Sequence, residues 1–201
     1  MKSGMIIATA AVVALFGGAH SAAADSHADA CTFDKDVFDF DEADVAALYA
    51  CVSDDLEAGY GAEDHEVGGV YRTWGNAATG PALPGVHGER FLNTFVNEVG
   101  FETYVTYGYG EDFVMPVGTV IAKESYKLRN DGTPRLGPLL IMTKVEPGTE
   151  AEEFGNWIYS GVQPNGKTMG VKQSFCHDCH AAYADQDSLG YPLEDVRLGA
   201  E

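Results

Sequence analysis

The chain has 201 residues, enough for one domain with a modest extension, and 45% of them are hydrophobic, enough for a packed core. Its 31 acidic side chains against 12 basic ones leave a net charge of −19. A surface this acidic repels phosphate backbones and anionic lipid, which argues against nucleic acid as a partner, and it attracts a basic protein partner, most strongly at low salt.

The chain opens with "MKSGMIIATAAVVALFGGAHSAAADS": Lys2, an apolar run from Met5 to Phe16, then small residues with an Ala-x-Ala site at Ala22 to Ala24. This three-part pattern predicts a secretory signal over residues 1–24. The apolar run is too short to span a bilayer, and no second long one follows, so no membrane span is expected after processing. The expectation is an exported, periplasmic protein in which 25–201 form a single domain. Cys31 and Cys51 then lie in a compartment where thiols oxidise, and a disulfide between them is expected to stabilise the fold by roughly 3 kcal/mol.

Residues 25–60 read as an N-terminal helical extension. Asp41 is placed to cap a helix, Asp44 to complete the capping box, and Phe40 to staple onto Val45. Val45, Leu48, Tyr49, Val52 and Leu56 recur at helical spacing, and Gly59 and Gly61 mark the end. Residues 61–201 read as a β-sheet core. After a Gly- and Pro-rich stretch with a short ordered piece at Tyr71 and Trp74, strands are predicted over 90–97, 118–128, 138–145 and 156–162. The segment "FETYVTYGYG" leans to helix. "RNDGTP", "EPGTE" and "QPNGK" are turns, and connections this short imply antiparallel pairing. The fold class is therefore α+β: mainly antiparallel sheet, an N-terminal helix and a C-terminal cofactor-binding segment.

That last segment is "QSFCHDCHAAYADQD", residues 173–187. "CHDCH" fits C-x-x-C-H, the attachment pattern of c-type haem. On one helical turn Cys176 and Cys179, at i and i+3, face the same side and reach two vinyl groups. His180 follows directly and is placed to ligate iron as the proximal ligand; His177, between the cysteines, reads as an exposed bystander. Zinc would need a second ligand pair, and Cys31 and Cys51 do not form a close knuckle. A thioredoxin-like dithiol expects a preceding βαβ unit, which the pattern lacks. One covalently attached haem c is the favoured reading.

Six pieces in order over residues 87–192 carry a wider resemblance: "HGERFLNTFVN", "MPVGTVIAKESYK", "LLIMTKVEPG", "NWIYSGVQPNGK", "FCHDCH" and "DSLGYP". Together with the late position of the motif, they make the chain resemble the cytochrome P-460 family, which includes the cytochromes c′-beta. The resemblance implies an antiparallel sheet with one haem c beside it, often in a homodimer, and activities that include hydroxylamine oxidation and nitric oxide binding. Hydroxylamine-oxidising members carry a lysine crosslinked to the haem on the strand matching "ERFLNTF". Here Glu89 and Arg90 stand at that place, no lysine lies between Lys35 and Lys123, and Lys123 falls in a different segment. The crosslink is therefore expected to be absent. A role in small-ligand binding or electron transfer is favoured, with a hydroxylamine-oxidising or other redox enzyme as the alternative.

The exact role then turns on the second face of the iron. His27 lies in the N-terminal segment and His65 in an acidic loop, where it is expected to be solvated. His87 precedes the strand that faces the haem in the relatives and is the best candidate for a distal ligand. Met115, Met142 and Met169 are weaker alternatives. Phe91, Phe95 and Tyr104 are candidates for an apolar distal pocket that admits a small neutral ligand, and Arg90 is a candidate for holding a haem propionate.

Overall fold

The computed structural model describes residues 31–85 and 87–199. The predicted signal, residues 1–24, and His27 lie outside them. Among the described residues no helix is long and apolar enough to cross a membrane.

Helix α1 runs Glu42–Tyr60. Its start is the expected capping box: Asp41 accepts from the Asp44 backbone N–H, and Asp44 accepts from that of Asp41, each at 3.0 Å. Val45, Leu48, Val52, Leu56 and Tyr60 form its buried stripe, while Tyr49 is only partly covered. Gly61 occupies the C-cap. Gly59 has a different role from the stop signal expected of it, because a Cβ there would lie 2.2 Å from the Pro164 carbonyl oxygen. It lets the helix approach the turn after the last strand. A disulfide joins Cys31 to Cys51 and pins the preceding segment onto α1.

The strands are β1 (Gly75–Asn76), β2 (Phe91–Val96), β3 (Val120–Leu128), β4 (Pro134–Leu136), β5 (Leu139–Lys144) and β6 (Trp157–Val162). They form one antiparallel sheet in the order β1-β2-β3-β5-β6, with β4 paired to β3. The short helix α2 (Phe101–Tyr104) follows β2, and α3 (Gln173–His180) follows β6. The four predicted strands are all present; β1 and β4 were not foreseen, being two and three residues long.

The pleat gives the sheet two faces with separate cores. On one, Phe91, Phe95, Ala122, Tyr126, Leu139, Ile141 and Val162 meet the α1 stripe. That face also buries Glu124, whose carboxylate accepts from Tyr49 Oη (2.8 Å), Tyr71 Oη (2.5 Å), Arg72 Nε (2.6 Å) and Arg72 Nη2 (2.5 Å). A buried charge with this many donors is satisfied. On the other face, Val96, Ile121, Met142, Trp157 and Tyr159 form a second core with Tyr104, Met115 and Leu189, and Cys176 packs against it. The C-terminal segment therefore covers the face that α1 leaves open.

Candidate functional site

The whole "CHDCH" motif lies in α3. Lacking a side-chain cap, α3 is fixed instead by Gln173 in its first turn. The Gln173 amide accepts from the Tyr159 N–H at 2.8 Å and donates to the Tyr159 carbonyl at 2.7 Å, imitating one more peptide at the edge of β6. Cys176 and Cys179 are free thiols, one half-buried and one exposed. Burial pushes the Cys176 thiol up, with Cys179 adding to the rise. A thiol held protonated is the opposite of the low-pKa nucleophile of a redox dithiol. His177 is not the exposed bystander expected: it is half-buried, its ring 5.5 Å from that of Phe154 and its Nδ1 3.4 Å from Tyr159 Oη.

His180 is buried, and its Nδ1 lies 2.7 Å from the Ser188 carbonyl oxygen. The carbonyl can only accept, so Nδ1 carries the proton and Nε2 keeps the lone pair. The carbonyl is aimed by a turn in which Asp187 and Ser188 both take left-handed backbone conformations, φ 53° and 62°. Two such residues in a row persist only where the surroundings hold them. Here Lys144 Nζ donates to Asp187 Oδ1 at 2.6 Å, Met115 N–H donates to Asp187 Oδ2 at 2.8 Å, and Trp157 Nε1 donates to the Asp187 carbonyl at 2.8 Å. Thus the second core holds the turn, and the turn orients His180. Burial lowers the His180 pKa below the usual histidine value, against the raising effect of the Ser188 bond.

Facing His180 is His87, with ring centres 6.1 Å apart and ring planes at 56°. The His87 Nδ1 is buried, with no hydrogen-bond partner among the described residues. Burial pushes this imidazole down to about 4, with the charge of Lys123 and the neighbouring His180 and Arg90 acting the same way. Both imidazoles are neutral at pH 7 and have a lone pair to offer. Lys123 itself is buried on the same face as Ile121, opposite Thr94 and Leu140 in register. Its Nζ donates to the Gly190 carbonyl at 2.6 Å, and burial alone lowers it to about 8.

Compared with known protein families, the chain matches no family model, and it matches none of the curated proteins.

The structure brings Cys176, Cys179, His180 and His87 together and disperses the rest of the predicted set. Phe91 and Phe95 project to the α1 face instead of toward His180, because both occupy the parity of β2 that meets the helix stripe. Tyr104 is fully buried in the second core, edge-on to Tyr107 and Tyr191, and its hydroxyl finds no partner among the described residues. Arg90 Nη1 donates to the His87 carbonyl at 2.8 Å, so it anchors the loop that carries His87. His65 is half-buried, not solvated, and its Nδ1 accepts from the Val67 and Gly68 N–H groups at 3.2 Å. Met115 and Met142 belong to the second core, and Met169 packs on Gly161. Sequence reasoning assigned no role to Gln173, Lys144, Asp187 or Ser188, although each lies within a stretch that it singled out.

Among the described residues no three His, Cys, Asp or Glu side chains come together to hold a metal ion by themselves. What the site offers is narrower: two reduced thiols one helical turn apart, one neutral imidazole with a fixed tautomer, and a second imidazole with an unused, buried nitrogen. That donor set fits a group bringing most of its own metal ligands.

Proposed function

We propose that the protein is an exported monohaem c-type cytochrome that transfers electrons or binds a small neutral ligand such as nitric oxide. The observation that carries this reading is the His180 imidazole, tied through Nδ1 to the Ser188 carbonyl beside two free thiols on one helical turn. Cys176 and Cys179 would hold the haem through their thiols, each becoming a thioether with the thiol proton taken up by the vinyl group it joins. His180 Nε2 would ligate the iron, and the Nδ1 hydrogen bond to Ser188 raises the basicity of this imidazole and fixes its plane. When bound, haem supplies a one-electron couple and an iron centre for a diatomic ligand. The second core excludes water from this side of the sheet, and the acidic surface favours a basic redox partner. The resemblance to the cytochrome P-460 and cytochrome c′-beta proteins supports the same reading.

A second reading, oxidation of hydroxylamine, has one observation in its favour. Lys123, set aside on sequence grounds, lies buried on the motif's face with a pKa lowered to about 8. A lysine bonded to the haem ring would have to come from such a place. The readings separate in two measurements on the exported protein. A pyridine haemochrome spectrum of the thioether type, lost when Cys176 and Cys179 are both replaced by serine, supports attachment; free haem extractable into acid acetone contradicts it. Peptide mapping then assigns the class: a haem peptide linked to residues 173–180 alone supports the carrier or binder, and one that also contains Lys123 supports the oxidase.

A further inference from the structure

We infer that His87 is the second axial ligand of the iron, so that the resting protein is six-coordinate and a small ligand binds only after this side chain leaves. The inference rests on the cytochrome reading above and deepens it. Two imidazoles that share one metal have a predictable spacing. Each metal–nitrogen bond is about 2 Å, and each ring nitrogen lies roughly 1 Å from its ring centre, so the two centres fall about 6 Å apart. The His87 and His180 ring centres are 6.1 Å apart. Packed ring pairs elsewhere in this fold lie 5.2 to 6.5 Å apart, so the spacing permits a shared metal and the chemistry of His87 selects it. The 56° between the planes is no obstacle, since each ring turns freely about a shared axis.

Chemistry points the same way. A buried polar nitrogen without a partner costs about 1–3 kcal/mol, and His87 Nδ1 has none among the described residues. A metal bond at this imidazole would give its burial a purpose. The backbone is anchored where a ligand needs it: Arg90 Nη1 holds the His87 carbonyl at 2.8 Å, and Glu89 N–H reaches the Gly85 carbonyl at 3.0 Å. Gly88, at φ 73°, makes the turn, and a Cβ there would lie 2.6 Å from Arg90 Nη1. Phe91 and Phe95, expected to wall an open distal pocket, serve the α1 core instead.

The test uses the exported haem-bearing protein, its ferric electron paramagnetic resonance spectrum, and its ferrous optical spectrum with and without carbon monoxide. The expected result is a low-spin haem in both oxidation states and little spectral change on mixing with carbon monoxide. His87→Gly is expected to become high-spin, to bind carbon monoxide at once, and to return to low spin when free imidazole is added. His65→Ala, outside the site, is expected to match the wild type. A wild-type ferrous haem that is five-coordinate and saturates promptly overturns the inference while leaving the attached haem intact. A His87→Gly protein that stays low-spin without added imidazole also overturns it, because another side chain then fills the position. Polypeptide recovered without haem overturns both this inference and the reading beneath it. Should His87→Gly fail to accumulate, the wild-type spectra alone decide.

Discussion

Replacing Asp187 by asparagine is expected to destabilise the folded protein by about 3–5 kcal/mol. The magnitude follows from what is stranded. The Lys144 side chain is only 4% exposed, and its ammonium touches Asp187 Oδ1 at 2.6 Å, the Gly155 carbonyl at 2.9 Å and the Trp157 ring at 4.9 Å from its centre. Asparagine tolerates the left-handed backbone at this position, and its amide oxygen can still accept from the Met115 N–H. The substitution therefore removes the negative charge and little else, leaving a buried ammonium without its counter-ion. Against a typical total of about 5–15 kcal/mol, that is a large share. Guanidinium unfolding followed by far-ultraviolet circular dichroism measures it, with the double variant Lys144→Met/Asp187→Asn recovering part of the loss. In the proposed haem-bearing protein the single variant should also shift the reduction potential, because Asp187 sets the turn that aims the Ser188 carbonyl at His180. A loss below about 1 kcal/mol would refute the account of how this turn is held.

Arg72→Met strands the buried Glu124 carboxylate with its two tyrosine donors and is expected to cost about 3–5 kcal/mol in the same assay. Replacing Cys31 and Cys51 together by serine removes the loop constraint and should lower stability by about 3 kcal/mol, read as a fall in the denaturant midpoint. Lys123 gives a pH signature. Its folded pKa, about 8, lies below the ordinary lysine value of 10.5, so between these the unfolded chain binds the proton that the folded chain has released. Stability contributed by this group therefore rises with pH across that window, and below pH 8 it is flat. Subtracting the curve for Lys123→Met from that for wild type over pH 7–9.5 should show this rise, and a level difference would contradict it.

Much of the fold was legible because local signals agreed with one another. Asp41 and Asp44 gave the start of α1, its stripe gave the buried face, and turn residues bounded all four long strands. The two short strands carried too few residues to produce any period. What sequence could not decide was which face of the sheet each alternating set would cover. Phe91 and Phe95 were expected to line a distal pocket, but the docking of α1 assigns their side of β2 to the helix. The motif named its own two thiols and His180 through fixed spacing. The support of His180 was hidden, since its acceptor is the backbone carbonyl of Ser188, which any residue could supply. The burial of Lys123 was not addressed by the sequence, because burial of a lysine is a tertiary fact.

The central claim is the covalent bond between this chain and one haem, and the mass of the exported protein under denaturing conditions tests it most directly. The account predicts a single species heavier than the processed polypeptide by one haem, and reduced to the bare polypeptide mass when Cys176 and Cys179 are both serine. An unmodified polypeptide recovered from a host that attaches haem to other c-type cytochromes would contradict it.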